Sequence, residues 1–248
     1  MIELSNLVKM FGDLVAVNGL TLTVPRGEFF ALLGPNAAGK TTTIKILTGL
    51  IRPTAGTASI AGFDIREHPL EARKRMAYVP DFPFLYDKLT PAEFLRFTGQ
   101  LFQITEQEIE SQSRELIVRF DLAPYLRKQI EGLSHGTRQR VAIVSALMHR
   151  PEVFILDEPM VGLDPHHARV LKDILKERSL AGMTIFISTH QLSVAEEMAD
   201  RIGIMHRGKL IAVGTRDELR RKSGFDGALE KTFLALTAEN PAELPIQT

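Results

Sequence analysis

Apolar and polar residues alternate through residues 1–33, with Gly and Pro breaks, as in Leu20-Thr21-Leu22-Thr23-Val24-Pro25-Arg26-Gly27. A period of two between turn-formers predicts several β-strands. The run Phe29-Phe30-Ala31-Leu32-Leu33 has no polar interruption and reads as a buried strand. A helix is predicted from about Gly39 to Gly49, and a turn over Ile51–Gly62 leads to a short strand at Thr57–Ala61. Met76–Pro80 is a further short strand. The pattern turns helical from Thr90 to about Leu122. Thr90-Pro91-Ala92-Glu93 supplies an N-cap, a proline at the first position and a glutamate that closes a capping box. Residues 105–120 carry Ile109, Leu116, Ile117 and Phe120 among charges, an amphipathic helix. Strand and helix then alternate: strands at Val153–Leu156, Thr184–Ser188, Arg201–Met205 and Lys209–Gly214, helices at Ala168–Ala181 and Val194–Ala199. Such alternation predicts an α/β fold with a mainly parallel sheet and a helical insert. No internal repeat or low-complexity tract is present. The stretch after Asn240 is expected to fray.

The chemistry begins at Gly34-Pro35-Asn36-Ala37-Ala38-Gly39-Lys40-Thr41-Thr42, which contains G-x-x-x-x-G-K-T. A strand before it and a helix after it make the string a phosphate-binding loop. Glycine lets the backbone approach a phosphate closely, and the N–H groups at the helix start favour an anion. Lys40 can reach β- and γ-phosphates, and Thr41 can place its hydroxyl on Mg²⁺. Downstream, Val153-Phe154-Ile155-Leu156-Asp157-Glu158 is an apolar strand ending in two acids. After a phosphate loop this reads as a Walker B strand, with Asp157 for the metal and Glu158 as general base for water. Gly132-Leu133-Ser134-His135-Gly136-Thr137 opens a helix with a small hydroxyl and a glycine. Ser134 is a natural N-cap, and the helix start is a second anion-binding surface.

Composition narrows the class. Lys+Arg and Asp+Glu are both 30, so the formal net charge is zero, which argues against a nucleic-acid partner. There is no cysteine, hence no disulfide framework and no thiolate metal site. The acidic, weakly apolar N-terminus is not expected to be a signal peptide, and no apolar run reaches the roughly 18–20 residues of a membrane span. A soluble chain is expected, with any membrane role supplied by a partner.

In order and spacing these motifs resemble the nucleotide-binding subunit of an ABC transporter, over almost the whole chain. The series is the P-loop at 34–42, a Q-loop region at 78–86, a signature at 133–137, Walker B at 153–158, the D-loop Gly162-Leu163-Asp164 and a switch histidine, His190. The resemblance implies a P-loop NTPase (RecA-like) core, an antiparallel β subdomain and a helical subdomain at about 82–150. It implies one ATPase domain over 1–240, with 241–248 as a flexible tail. It also implies ATP and Mg²⁺, with Thr41, Asp81 and Asp157 at the metal. Phe11 matches the aromatic that stacks on adenine, and His190 the γ-phosphate contact. The expected partner is a second cassette, as homo- or heterodimer, in which Ser134, Gly136 and Asp164 meet the nucleotide of the other protomer.

Four residues in three motifs depart from the family. Ala37 stands where glycine is usual, Asp81 replaces the Q-loop glutamine, and the signature reads LSHGT, with His135 and Thr137 as the changed residues. An acidic Q-loop, an LSHG-like signature and the brief stretch 229–236 resemble the branch that works with ABC-2-type permeases, mostly exporters. The aromatic segment Asp81-Phe82-Pro83-Phe84-Leu85-Tyr86-Asp87 is either packed on the helical insert or a groove for a permease helix. The resemblance implies a cytoplasmic ATPase, peripheral on the membrane. A soluble ABC ATPase acting on ribosomes or DNA is the alternative, but such relatives carry two cassettes or a long coiled coil. This chain has one cassette and no heptad run.

Overall fold

The computed structural model describes residues 1–223 and Phe233. The expected tail and, apart from Phe233, the stretch 229–236 lie outside the described residues. The elements run β1 (Ile2–Phe11), β2 (Leu14–Val24), β3 (Phe29–Leu33), α1 (Lys40–Leu47), β4 (Ala55–Ile60), β5 (Phe63–Asp64), α2 (Pro69–Arg75), β6 (Met76–Val79), α3 (Pro91–Leu101) and α4 (Glu106–Arg119). They continue with α5 (His135–Leu147), β7 (Val153–Asp157), α6 (Pro165–Leu180), β8 (Thr184–Thr189), α7 (Leu192–Met198), β9 (Arg201–His206), β10 (Lys209–Gly214) and α8 (Arg216–Ser223).

Two sheets form. One is antiparallel with order β2-β1-β4-β5. The other has order β10-β9-β3-β8-β7-β6 and is parallel except for the β9–β10 hairpin. The central strands β3, β7 and β8 are buried along their whole length. Their side chains alternate between two cores, which is why the runs lack polar breaks. Phe29, Ala31, Leu33, Phe154, Leu156, Ile185 and Ile187 join the core shared with α3–α7. Phe30, Leu32, Val153, Ile155 and Phe186 join the core shared with α1 and the antiparallel sheet. Phe30 stacks on Phe186 with centroids 5.5 Å apart. Burying one such ring contributes roughly 1.5–3 kcal/mol.

The register positions the site. Leu33 pairs with Thr189, and Asp157 pairs with Ser188. The carboxyl ends of β3, β7 and β8 therefore lie side by side. The loops that leave them carry 34–39, Glu158 and His190. That is the edge where ligands bind in open α/β sheets.

Most predicted elements form near their expected bounds. Thr90 accepts from the Glu93 N–H, with Pro91 at the first position, and Thr105 builds a second box with Glu108. α6 begins at Pro165 rather than Ala168, because Asp164 caps it by accepting from the His167 N–H and proline suits the first turn. The short helix α2 was not predicted. Ala72 is its buried residue, too little for a readable apolar stripe.

Candidate functional site

A cleft of about 590 Å³ opens at this edge, lined by Phe11, Leu14, Val15, Ala16, Asn36–Thr42, Asp81, Glu158, Arg207 and Gly208. The loop around it is held by close backbone approach. A Cβ on Gly39 would lie 2.4 Å from the Ala16 carbonyl oxygen, at φ +105, and one on Gly34 would lie 2.4 Å from the Met205 carbonyl oxygen. Only glycine fits either place. Ala37 takes φ +62, the conformation that glycine supplies in the family pattern. Lys40 is buried, and its ammonium donates to the carbonyls of Gly34 at 2.7 Å and Pro35 at 3.1 Å. Burial lowers the Lys40 pKa, and the charges of Glu158 and Asp157 oppose that.

Asp157 is 1% exposed at the end of β7. Its Oδ1 accepts from the Ser188 hydroxyl and its Oδ2 has no partner. Burial pushes its pKa up; the Ser188 hydroxyl bond and the nearby Thr41 hydroxyl oppose this, and the Asp81 and Glu158 charges add to it. Glu158 follows at φ +48, a left-handed conformation for a non-glycine residue, with its N–H donating to the Ser188 carbonyl at 3.0 Å. Its Oε1 is 2.8 Å from His190 Nδ1, and its Oε2 is buried and unpartnered. Phe11 is half exposed at the other end of the cleft, with the Lys9 ammonium 4.8 Å from its ring centre.

Ser134, Gly136 and Asp164 do not line this cleft. They gather with one another. Ser134 caps α5, accepting from the Thr137 N–H. A Cβ on Gly136 would lie 2.4 Å from the Gly162 carbonyl oxygen, so the signature and the D-loop touch. His135 crosses from one to the other: its ring covers Gly162 and stacks on Phe82 with centroids 5.4 Å apart. Asp164 Oδ2 accepts from His167 Nδ1 at 2.6 Å, which holds the Asp164 carboxyl at about 2. Ser134 and Asp164 are both exposed.

The profile of the family described as ABC transporter matches residues 17–161. The chain belongs to the ABC transporter family. As a member it is an ATP-binding, ATP-hydrolysing subunit that energises a membrane transporter. It is 34% identical over 232 residues to the linearmycin resistance ATP-binding protein LnrL of Bacillus subtilis, covering 94% of this chain and 75% of that one. It is 38% identical over 213 residues to the Nod factor export ATP-binding protein I of Burkholderia lata, covering 86% and 70%. Two further relatives are longer, and the chain spans 41% of their length. A solved ATP-binding subunit of an ABC transporter superposes with TM-score 0.91 at 35% identity, covering 95% of this chain and 99% of that one. No helix among the described residues is long and apolar enough to cross a membrane.

Several residues of this ABC subunit's site were not anticipated from sequence. Arg207 and Gly208 enter the cleft from the β9–β10 turn, and Leu14, Val15 and Ala16 from β2. Ser188 lies under Asp157 through strand register alone. Arg140 and His167 bind each other at 2.7 Å across 27 positions of chain. No local motif announces any of these; the fold brings them.

Proposed function

We propose that this subunit drives an exporter with a separate ABC-2-type permease, hydrolysing ATP with Mg²⁺ in a head-to-tail dimer on the cytoplasmic face of a membrane. The observation that carries the hydrolytic part is the Glu158–His190 pair at 2.8 Å beside the phosphate loop. Phe11 stacks on adenine. The loop amides and the Lys40 ammonium, turned from its carbonyl partners, take the β- and γ-phosphates. The buried, unpartnered Asp157 Oδ2, the Thr41 hydroxyl and the Asp81 carboxylate are oxygen donors that fit magnesium. Bound there, the ion would neutralise charge on the β- and γ-phosphoryl oxygens. Glu158 accepts the proton of the attacking water, and His190 orients that carboxylate while facing the γ-phosphate. Ser134, Gly136 and Asp164 reach the nucleotide of the second protomer, which accounts for their place outside the subunit's own cleft.

The permease side is the 81–87 segment. A second cleft of about 390 Å³ is lined by Tyr78, Pro83, Phe84, Leu85, Phe94 and Phe102 among others. Phe84 is 87% exposed on its rim. Aromatic anchors around an apolar groove suit an amphipathic helix of the permease. Residues 1–240 act as one ATPase domain, with 82–150 as its helical part, because α3–α5 share a core with the main sheet. The relative named for Nod factor export supports the exporter reading.

The test is co-isolation of the tagged chain from detergent-solubilised native membranes, with mass spectrometry and an ATPase assay of the eluate. A multi-span membrane protein recovered with ATPase activity supports the reading. Ribosomal or DNA-bound proteins, with no chain at the membrane, would favour the soluble alternative.

A further inference from the structure

Arg140 lies on α5 in the interior, 7% exposed. Its Nε donates to the Gly136 carbonyl at 3.3 Å, and its Nη1 to the Phe120 carbonyl at 2.6 Å. Nη1 also meets His167 Nε2 at 2.7 Å, and Nη2 donates to Thr137 Oγ1 at 2.9 Å. A guanidinium has no acceptor and keeps its charge in proteins, so it dictates the hydrogen positions of its partners. His167 Nε2 must accept. The ring proton then sits on Nδ1 and is donated to Asp164 Oδ2 at 2.6 Å. Thr137 Oγ1 accepts from Arg140 through one lone pair, and its own proton can be given to Ser134 Oγ, 2.9 Å away. Ser134 Oγ also takes the Thr137 N–H at 3.3 Å. With both of those accepted, the proton of the exposed Ser134 hydroxyl is free for an acceptor outside the chain. A phosphate oxygen asks for that polarity.

The arrangement uses a residue that departs from the family signature. Thr137 supplies a hydroxyl where the usual LSGGQ pattern has an amide. Asp121 Oδ2 stands 3.5 Å from His167 Nε2. Asp121, His166 and His167 are close enough to one another to hold a metal. The bond from Arg140 to His167 Nε2 engages the lone pair that such a metal needs.

We propose that Arg140 is a positioning residue that joins the signature to the D-loop. Through Thr137 it makes the Ser134 hydroxyl a donor to the partner protomer's nucleotide. Through His167 it holds the Asp164 carboxylate in register with that hydroxyl. This rests on the reading that Ser134 and Asp164 meet the partner's nucleotide.

The experiment compares full-length T137V, T137S, H167Q, T137V/H167Q and S134A. It measures ATPase kinetics, the ATP affinity of the monomer and thermal melting. T137V keeps the side-chain shape and removes the hydroxyl. It should lower kcat/KM roughly tenfold, the scale of one hydrogen bond to a charged group, with monomer ATP affinity near the parent and melting lowered by the Arg140 donor left unpaired. T137S should restore activity. The double variant should lose less than the product of the single losses, because the two sites share one chain of bonds. If S134A is impaired while T137V and H167Q match the parent, or if their losses multiply independently, the relay is overturned and the signature reading stands. If S134A itself is silent, the signature reading fails and the relay with it. Should T137V melt early, the H167Q kinetics and the T137S comparison decide in the same way.

Discussion

His190 Nδ1 stands 2.8 Å from Glu158 Oε1 and so links the ends of two parallel strands, β7 and β8, beside the cleft that Glu158 lines. Glu158 reaches this position in a left-handed backbone conformation, and its second oxygen is buried without a partner. A carboxylate held this way is placed for a water. E158Q keeps the shape and removes the base, so turnover should fall at least ~100-fold while ATP binding is retained. Single-turnover hydrolysis beside a nucleotide-binding titration checks this, and near-normal turnover defeats the assignment.

Lys40 makes a separate prediction, about binding rather than chemistry. Its ammonium is buried against the Gly34 and Pro35 carbonyls, and in the proposed pose it turns to the phosphates of an entering nucleotide. K40A should therefore weaken ATP affinity itself, by roughly tenfold or more, the scale of a charged hydrogen bond. Unchanged affinity by calorimetry would count against the phosphate pose.

Much of this architecture is legible in the chain because the information is local. The apolar runs of β3, β7 and β8 are uninterrupted because both faces of each strand are buried. The Thr90–Glu93 box needs four adjacent residues, and the phosphate loop needs nine. What the sequence hides is contact between segments far apart. The stacking of His135 on Phe82 and the bond from Arg140 to His167 depend on how α5 sits against the 81–87 loop and α6. Neither residue type at those positions signals its partner. Helix α2 is hidden for another reason: charges cover it and little of it faces a core.

Ala37 allows a test of backbone strain. At φ +62 an alanine costs about 1–2 kcal/mol relative to a relaxed conformation. Glycine removes that cost but adds roughly 0.4–1 kcal/mol of unfolded-chain entropy. A37G should be stabilised slightly, with ATP binding intact. G39A should be destabilised strongly, since its Cβ meets the Ala16 carbonyl at φ +105. Melting curves of the two variants check both signs, and a large loss for A37G sinks the argument.

Asp164 should titrate at about 2 because His167 donates to its carboxylate. The folded pKa lies below the ordinary 3.8, so this contact favours the fold above 3.8 and its contribution is lost as pH falls through 2. H167A should return the Asp164 titration towards 3.8. Carboxyl NMR across acid pH reads it directly, and an unchanged midpoint in H167A contradicts the contact.

Asp157 carries the opposite sign. Burial raises its folded pKa above 3.8, so the folded state holds its proton to higher pH than the unfolded chain does. Stability therefore falls as pH climbs from 3.8 through the raised value, and at neutral pH the nucleotide-free subunit carries the full cost of a buried, half-partnered carboxylate. D157N removes the charge and lets the Ser188 hydroxyl keep donating to an oxygen. The variant should melt higher than the parent without nucleotide at neutral pH, with each kcal/mol regained worth roughly 2–4 °C in a chain of this size. The same change removes the oxygen that fits magnesium, so magnesium-dependent hydrolysis should fall at least ~100-fold. A stability gain paired with an activity loss is the expected mark of a site residue held against its own solvation. If D157N melts lower than the parent at neutral pH, Asp157 is a structural acid, and its place at the metal has to be abandoned.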